Sequence, residues 1–159
     1  MIFNAGEVFQ IGINIEKNGR IFYQTAANNA KMESIRKLFG ELADWETQHV
    51  RLFEELASKL SASDNPEIWD PGEEVSLYLK ASADSHIFRS DSDPAALASS
   101  CATAKDALRM AMNFEKDSVV FYSAMYRAVP DELGKNKVER LISEELNHIA
   151  ILASKMQTV

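Results

Sequence analysis

Two tetrapeptides in this 159-residue chain place a glutamate three positions before a histidine: Glu46-Thr47-Gln48-His49 and Glu145-Leu146-Asn147-His148. Residues three apart on a helix lie on one face about one turn from each other, so each pair aims a carboxylate and an imidazole the same way. Thirty positions upstream of each of these glutamates stands another, Glu16 and Glu115. The surroundings repeat too: Glu16 opens a segment ending in Phe22-Tyr23, and Glu115 one ending in Phe121-Tyr122. Each of these elements is displaced by 99 residues, 16 to 115, 23 to 122, 46 to 145 and 49 to 148. The chain carries one metal-binding half twice.

The chemistry follows from charge. Four ionised glutamates facing one another in a core each lose several kcal/mol of hydration and repel one another. Two divalent cations cancel the four charges and give every carboxylate a ligand bond. Oxygen-rich ligation with one nitrogen per metal suits iron or manganese, whereas a structural zinc normally takes thiolates. Such a hard, partly anionic shell also tolerates the trivalent state that redox work with oxygen or peroxide requires.

The elements that must position these donors are helices. A capping box at Asn4 and Glu7 starts the first. Its apolar or small positions, Val8-Phe9, Gly12-Ile13, Gly19, Phe22-Tyr23 and Ala26-Ala27, follow a three-four rhythm that includes Glu16, and Asn28-Asn29 end it. The second runs from about Met32 to Leu60, with Ile35, Leu38-Phe39, Leu42, Trp45, Phe53 and Leu56 inward and Glu46 and His49 in the same series. Ser61 to Gly72 read as a loop. Asp70-Pro71-Gly72-Glu73 resembles a helix start, with proline first and Glu73 as reciprocal cap, for a short helix to about Phe88. After a polar break at Arg89 to Asp93, Asp93-Pro94 restart helical structure, either continuous with the third main helix or kinked into it. Thr103 and Asp106 match Asn4 and Glu7 and begin that third helix, Ala104 to Ala128; it stops at Pro130. Asp131 to Gly134 turn the chain into a fourth, Lys135 to Met156.

From Glu16 to its helix end and from the next helix start to Glu46 are nearly equal climbs, ~18 and ~21 Å at ~1.5 Å per residue. An antiparallel hairpin therefore brings the two glutamates to one height, and Glu115 and Glu145 likewise. The prediction is an all-α, antiparallel four-helix bundle in one domain: a hairpin over 4–60, a crossover over 61–102 containing a short helix, and a hairpin over 103–157. Four carboxylates and two imidazoles then converge on its core, the ligand pattern of the di-iron and di-manganese carboxylate bundles.

With these motifs the chain resembles the ferritin-like superfamily, and more closely the rubrerythrin-type di-iron proteins, over nearly its whole length. The resemblance implies that Glu46 and Glu145 bridge two iron ions (manganese or a mixed pair being the variants), that His49 and His148 are nitrogen ligands, and that Glu16 and Glu115 are terminal carboxylates; these six are the catalytic set. It implies a peroxidase or oxidase that reduces hydrogen peroxide or dioxygen in oxidative-stress defence, acting as a homodimer or larger homo-oligomer. The other class it admits is ferroxidase-type iron binding or storage. Rubrerythrins proper carry a rubredoxin module with two Cys-x-x-Cys pairs, absent from this chain, so electrons come from a separate donor such as a rubredoxin-like protein, or from ferrous iron. They also tend to have an extra glutamate one turn after the third helix's ligand, where this chain has Ser118, and Gly19 in the first repeat. The ligand set is thus symmetric, nearer the bacterioferritin pattern. In relatives, tyrosines placed like Tyr23 and Tyr122 hydrogen-bond a ligand carboxylate; the other reading is of core tyrosines on any buried acceptor.

Composition narrows the field. A net charge of −7 and no basic stripe argue against nucleic acid. A single cysteine, Cys101, excludes an internal disulfide and any cysteine-ligated cluster within the chain, and reads as a small buried hydrophobe. No window holds the ~20 apolar residues of a membrane span, and Met1 to Gly12 lack a basic n-region and carry Glu7, so the expected setting is cytoplasmic. His86, unmatched in the other repeat, reads as a packing or surface residue; Met110, Met112 and Met125 as core filling; Trp45 and Trp69 as packing anchors; Glu54-Glu55 and Glu73-Glu74 as solvated faces.

Overall fold

A computed structural model describes residues 3–60, 66–68, 70 and 72–159. Six α-helices are formed among them, α1 (Ala5–Asn29), α2 (Glu33–Ser58), α3 (Glu74–Ser85), α4 (Pro94–Ser100), α5 (Ala104–Ala128) and α6 (Lys135–Met156), with a 3-10 turn at Asp131–Leu133. Asn4 caps α1 in a reciprocal box with Glu7, and Thr103 caps α5 in the same way with Asp106. Each box satisfies two amide donors that the first helical turn would leave open. Gly134, at φ 95°, makes the left-handed turn into α6 that a side chain would resist.

α1 packs along α2, and α5 along α6. The two tyrosine bonds between halves set the remaining directions. Tyr23 donates to Glu115, and Tyr122 to Glu16. On each helix the tyrosine lies seven residues after the glutamate, so reciprocal pairing requires α1 and α5 to run antiparallel. Hence α2 and α5 run the same way, and the chain must climb the whole bundle between them.

The crossover can be followed along that climb. Ile68 N–H donates to Phe3 O and Ala5 N–H to Pro66 O at the start of α1. Further up, Asn18 Nδ2 donates to the carbonyls of Phe88 and Arg89, and Asp117 accepts from Ile87 N–H. Finally α4 packs on α1, with Ala98 and Cys101 beside Ala26 and Ala30. Since α3 packs on α5 and α4 on α1, the crossover sheathes the α1–α5 side. No helix among the described residues is long and apolar enough to cross a membrane.

Four expectations need correction. α4 is separate from α5, because Thr103 must leave helical geometry to cap the latter. α3 begins at Glu74, because its N-cap, Glu73, is left-handed at φ 53° and its side chain makes no capping bond; the Val75 and Ser76 amides donate instead to the Asp70 carboxylate. Trp45 is 39% exposed, since it sits one residue, about 100° of helix, from the inward heading of Glu46. Cys101 is half-buried, its thiol donating to Leu97 O. Trp69 lies outside the described residues.

The core is aromatic around the two tyrosines. Tyr23 contacts Phe22, Phe39 and Phe114, while Tyr122 contacts Phe53 and Phe121. At Gly19 the two hairpins approach closely: a Cβ there would overlap the Phe114 ring and stand 3.2 Å from Glu46 Oε2. Gly19→Ala gains ~1 kcal/mol of helix propensity, but overpacking at a site walled by fully buried rings costs about 1–3 kcal/mol or more. The variant should therefore show a lower denaturation midpoint than the parent; an unchanged or raised midpoint would contradict the packing described.

Candidate metal centre

Each main helix brings its donor to the centre by the same device, an acidic residue on the apolar stripe. Glu16 lies on α1, Glu46 and His49 on α2, Glu115 on α5, and Glu145 and His148 on α6. All four glutamates have no exposed surface, and each histidine is 2% exposed. The six fall into two groups whose donor atoms lie within 4.8 Å of one another: Glu16, Glu46, His49 and Glu145 in one, and Glu46, Glu115, Glu145 and His148 in the other. Glu46 and Glu145 belong to both groups. A bridging place for these two, with Glu16 and Glu115 at the outer ends, is what that sharing permits.

The donors are poorly satisfied by one another. Glu16 Oε2, both Glu46 oxygens, Glu115 Oε2, Glu145 Oε1 and His49 Nδ1 are buried without a hydrogen-bond partner. His49 Nδ1 faces Glu145 Oε1 at 3.1 Å and Glu16 Oε2 at 3.4 Å, but not at a hydrogen-bonding angle. His148 Nδ1 meets Glu145 Oε2 at 2.9 Å and Glu115 Oε1 at 3.5 Å. Buried polar atoms are nearly always paired, so six orphans in one cluster mark a place built for something else. Cations fit: the orphans are carboxylate oxygens and an imidazole nitrogen, all ligand atoms for iron or manganese.

The surroundings fix the carboxylates. Tyr23 Oη donates to Glu115 Oε1 at 2.5 Å, and Tyr122 Oη donates to Glu16 Oε1. Each tyrosine thus holds the outer glutamate of the other repeat. Burial, and then the neighbouring carboxylate, raise both phenols well above their usual range, so they remain donors. Burial, followed by Glu16, also raises Glu46, and burial with Glu145 pushes Glu115 up to about 8. Burial alone would raise Glu145 as well, but His49 and His148 beside it hold it below the usual range. For His148, burial is outweighed by Glu115 and Glu145, which push it up to about 9.

His86 proves to be a packing residue, fully buried and 5.7 Å from the Phe114 ring centroid. Its Nδ1 accepts from Phe88 N–H, so the proton sits on Nε2 and is given to Ser118 Oγ at 3.2 Å. Burial pulls it down to about 4, so it is neutral. Sequence reasoning passed over Glu144, which accepts from His49 Nε2 at 3.1 Å and from Arg140 Nε at 2.9 Å. Its adjacency to Glu145 was the available signal, but the partner lies 95 residues away on another helix.

Comparison with known proteins agrees with this architecture. The crystal structure of a protein from Thermotoga maritima, described as a ferritin-like diiron-carboxylate protein, superposes with a TM-score of 0.70 at 21% identity, covering 99% of this chain and 97% of that one. A hypothetical protein from Pyrococcus furiosus superposes with a TM-score of 0.67 at 21% identity, covering 98% and 89%. No curated protein matches. The rubrerythrin family model matches residues 7–90, which hold the first Glu-x-x-His pair, its upstream glutamate and most of the crossover; the chain belongs to the rubrerythrin family.

Proposed function

We propose that this chain is a dinuclear iron redox protein that reduces hydrogen peroxide or dioxygen, with electrons supplied by a separate donor protein. The observation that carries the reading is the cluster of six inward donors, most of whose facing atoms have no hydrogen-bond partner. When bound, two iron ions would supply the two electrons that take hydrogen peroxide to water, or dioxygen to peroxide, and the donor protein would restore them. Glu16, Glu46, His49 and Glu145 would hold one, and Glu46, Glu115, Glu145 and His148 the other.

The chain itself orients and insulates. The tyrosines fix Glu16 and Glu115, and the surrounding rings keep the site dry, which strengthens every charge interaction inside it. Access is from the side the crossover leaves bare. A pocket of about 270 Å³ between α2 and α6 is lined by His49, Glu144, Leu52, Leu141 and Arg140.

Three outcomes test the reading. The purified protein should hold about two metal ions per chain, and Glu46→Ala or His148→Ala should fall well below that by elemental analysis; unchanged stoichiometry in either variant would count heavily against the site. In stopped-flow mixing, the reduced protein should be reoxidised faster by peroxide than by oxygen if peroxide is the natural oxidant, while no reoxidation by either would remove the activity proposed.

The third outcome is a pH dependence. In the metal-free protein Glu115, raised to about 8, and His148, raised to about 9, keep their protons at neutral pH. Metal must displace those protons, so affinity should climb from about pH 6 to 9 with proton release on binding, read by calorimetry in buffers of different ionisation enthalpy. Both folded values lie above the unfolded ones of 4.5 and 6.5, so their contribution to metal-free stability is fully present below those values and is lost as pH rises from there through about 8 and about 9. Metal-free melting temperatures should decline over that interval, and bound metal should abolish the decline.

A further inference from the structure

The two halves of the centre supply matching ligands in unlike surroundings. His49 turns Nδ1 toward the cluster, and its outer nitrogen, Nε2, is hydrogen-bonded to Glu144 Oε2 at 3.1 Å. Glu144 is itself steadied by Arg140, whose Nε donates to Oε1 at 2.9 Å. His148 also turns Nδ1 inward, toward Glu145 and Glu115. Among the described residues, however, no group accepts from its Nε2.

The repeat supplies the reason. The residue displaced by 99 positions from Glu144 is Trp45. Its ring centroid lies 5.9 Å from that of His148 and 6.5 Å from that of His49. An indole offers one N–H donor and no acceptor, so it cannot take the imidazole proton as a carboxylate can. A carboxylate on the outer N–H of a ligand histidine fixes its tautomer and ring orientation and makes it a stronger donor, and loss of such a partner costs about 10- to 100-fold in metal affinity.

We infer that the two metal positions are unequal. The position formed by Glu16, Glu46, His49 and Glu145 is the tighter, the one formed by Glu46, Glu115, Glu145 and His148 is the weaker, and Glu144 is the positioning residue that sets the difference. This rests on the dinuclear reading above. It adds that a half-loaded protein holds its metal on the His49 side, so the ion beside His148 is the last gained and the first lost as metal supply changes.

The test is an anaerobic titration of the metal-free protein with cobalt(II), followed by calorimetry and visible absorption, with anomalous scattering from crystals given one equivalent. Two resolved steps are expected, with the first ion beside His49. Glu144→Ala should weaken the tighter step by about 10- to 100-fold and leave the other essentially unmoved. Trp45→Glu should tighten the weaker step by giving His148 a carboxylate, a gain that disturbed packing would not produce. Equal occupancy of both positions at one equivalent, or equal weakening of both steps in Glu144→Ala, would overturn the inference. No cobalt at either position would instead remove the dinuclear reading on which it stands.

Discussion

Four carboxylates are held without exposed surface inside one small core, and the rest of the molecule answers to that fact. An isolated buried carboxylate loses several kcal/mol of hydration, and four together add mutual repulsion. Burial and the neighbouring carboxylates push two of them, Glu46 and Glu115, above the usual carboxylate range, while the two histidines hold Glu145 below it. The aromatic shell makes this harsher, because Phe114, Phe53 and the two tyrosines exclude the water that would screen the charges. The same low-polarity shell strengthens the hold on a cation. The dry core that makes the empty site costly therefore makes the filled one firm.

Duplication shapes the frame around this cluster. Because each half carries a glutamate and a tyrosine seven residues apart, a two-fold arrangement lets each half restrain the other's outer carboxylate, and it requires α1 and α5 to be antiparallel. That requirement forces the long connection to traverse the bundle. Its anchors at Phe3, Asn18 and Asp117 lie on the α1–α5 side. The histidines face the other side, between α2 and α6, where the pocket against His49 opens. A covered side and a side with an open pocket thus follow from the direction of two helices.

Much of this is legible in the sequence because it is local or repeated. The caps at Asn4 and Thr103 are three-residue signals, and the donors share one spacing in both halves. What is not legible depends on partners far along the chain. Trp45 fits the apolar rhythm of α2, yet its ring stands tilted beside two imidazoles, because the position next to Glu46 points between helices rather than into the core. Glu144 resembles the solvated pairs Glu54-Glu55 and Glu73-Glu74, and only the approach of α2 distinguishes it. The start of α3 was misplaced by the positive φ of Glu73, which a glutamate rarely adopts and which no pattern of residue types announces.

The departures from the repeat are themselves ordered by packing. In one half Phe114, the residue before Glu115, fills the space against Gly19, where any side chain would collide. The residues displaced by 99 are Ile15 and Ser118, a smaller chain where the phenylalanine stood and a larger one where the glycine stood. His86, brought in by the crossover, hydrogen-bonds Ser118 and packs edge-on against Phe114. A crossover can cover the pair of helices at only one register, so it meets the two halves at unlike places and cannot leave them identical. The six donors stay matched between the halves, whereas on the α1–α5 side Gly19 and its counterpart Ser118 follow the neighbour that the single crossover supplies. Symmetry persists in the donor set and gives way where packing demands otherwise.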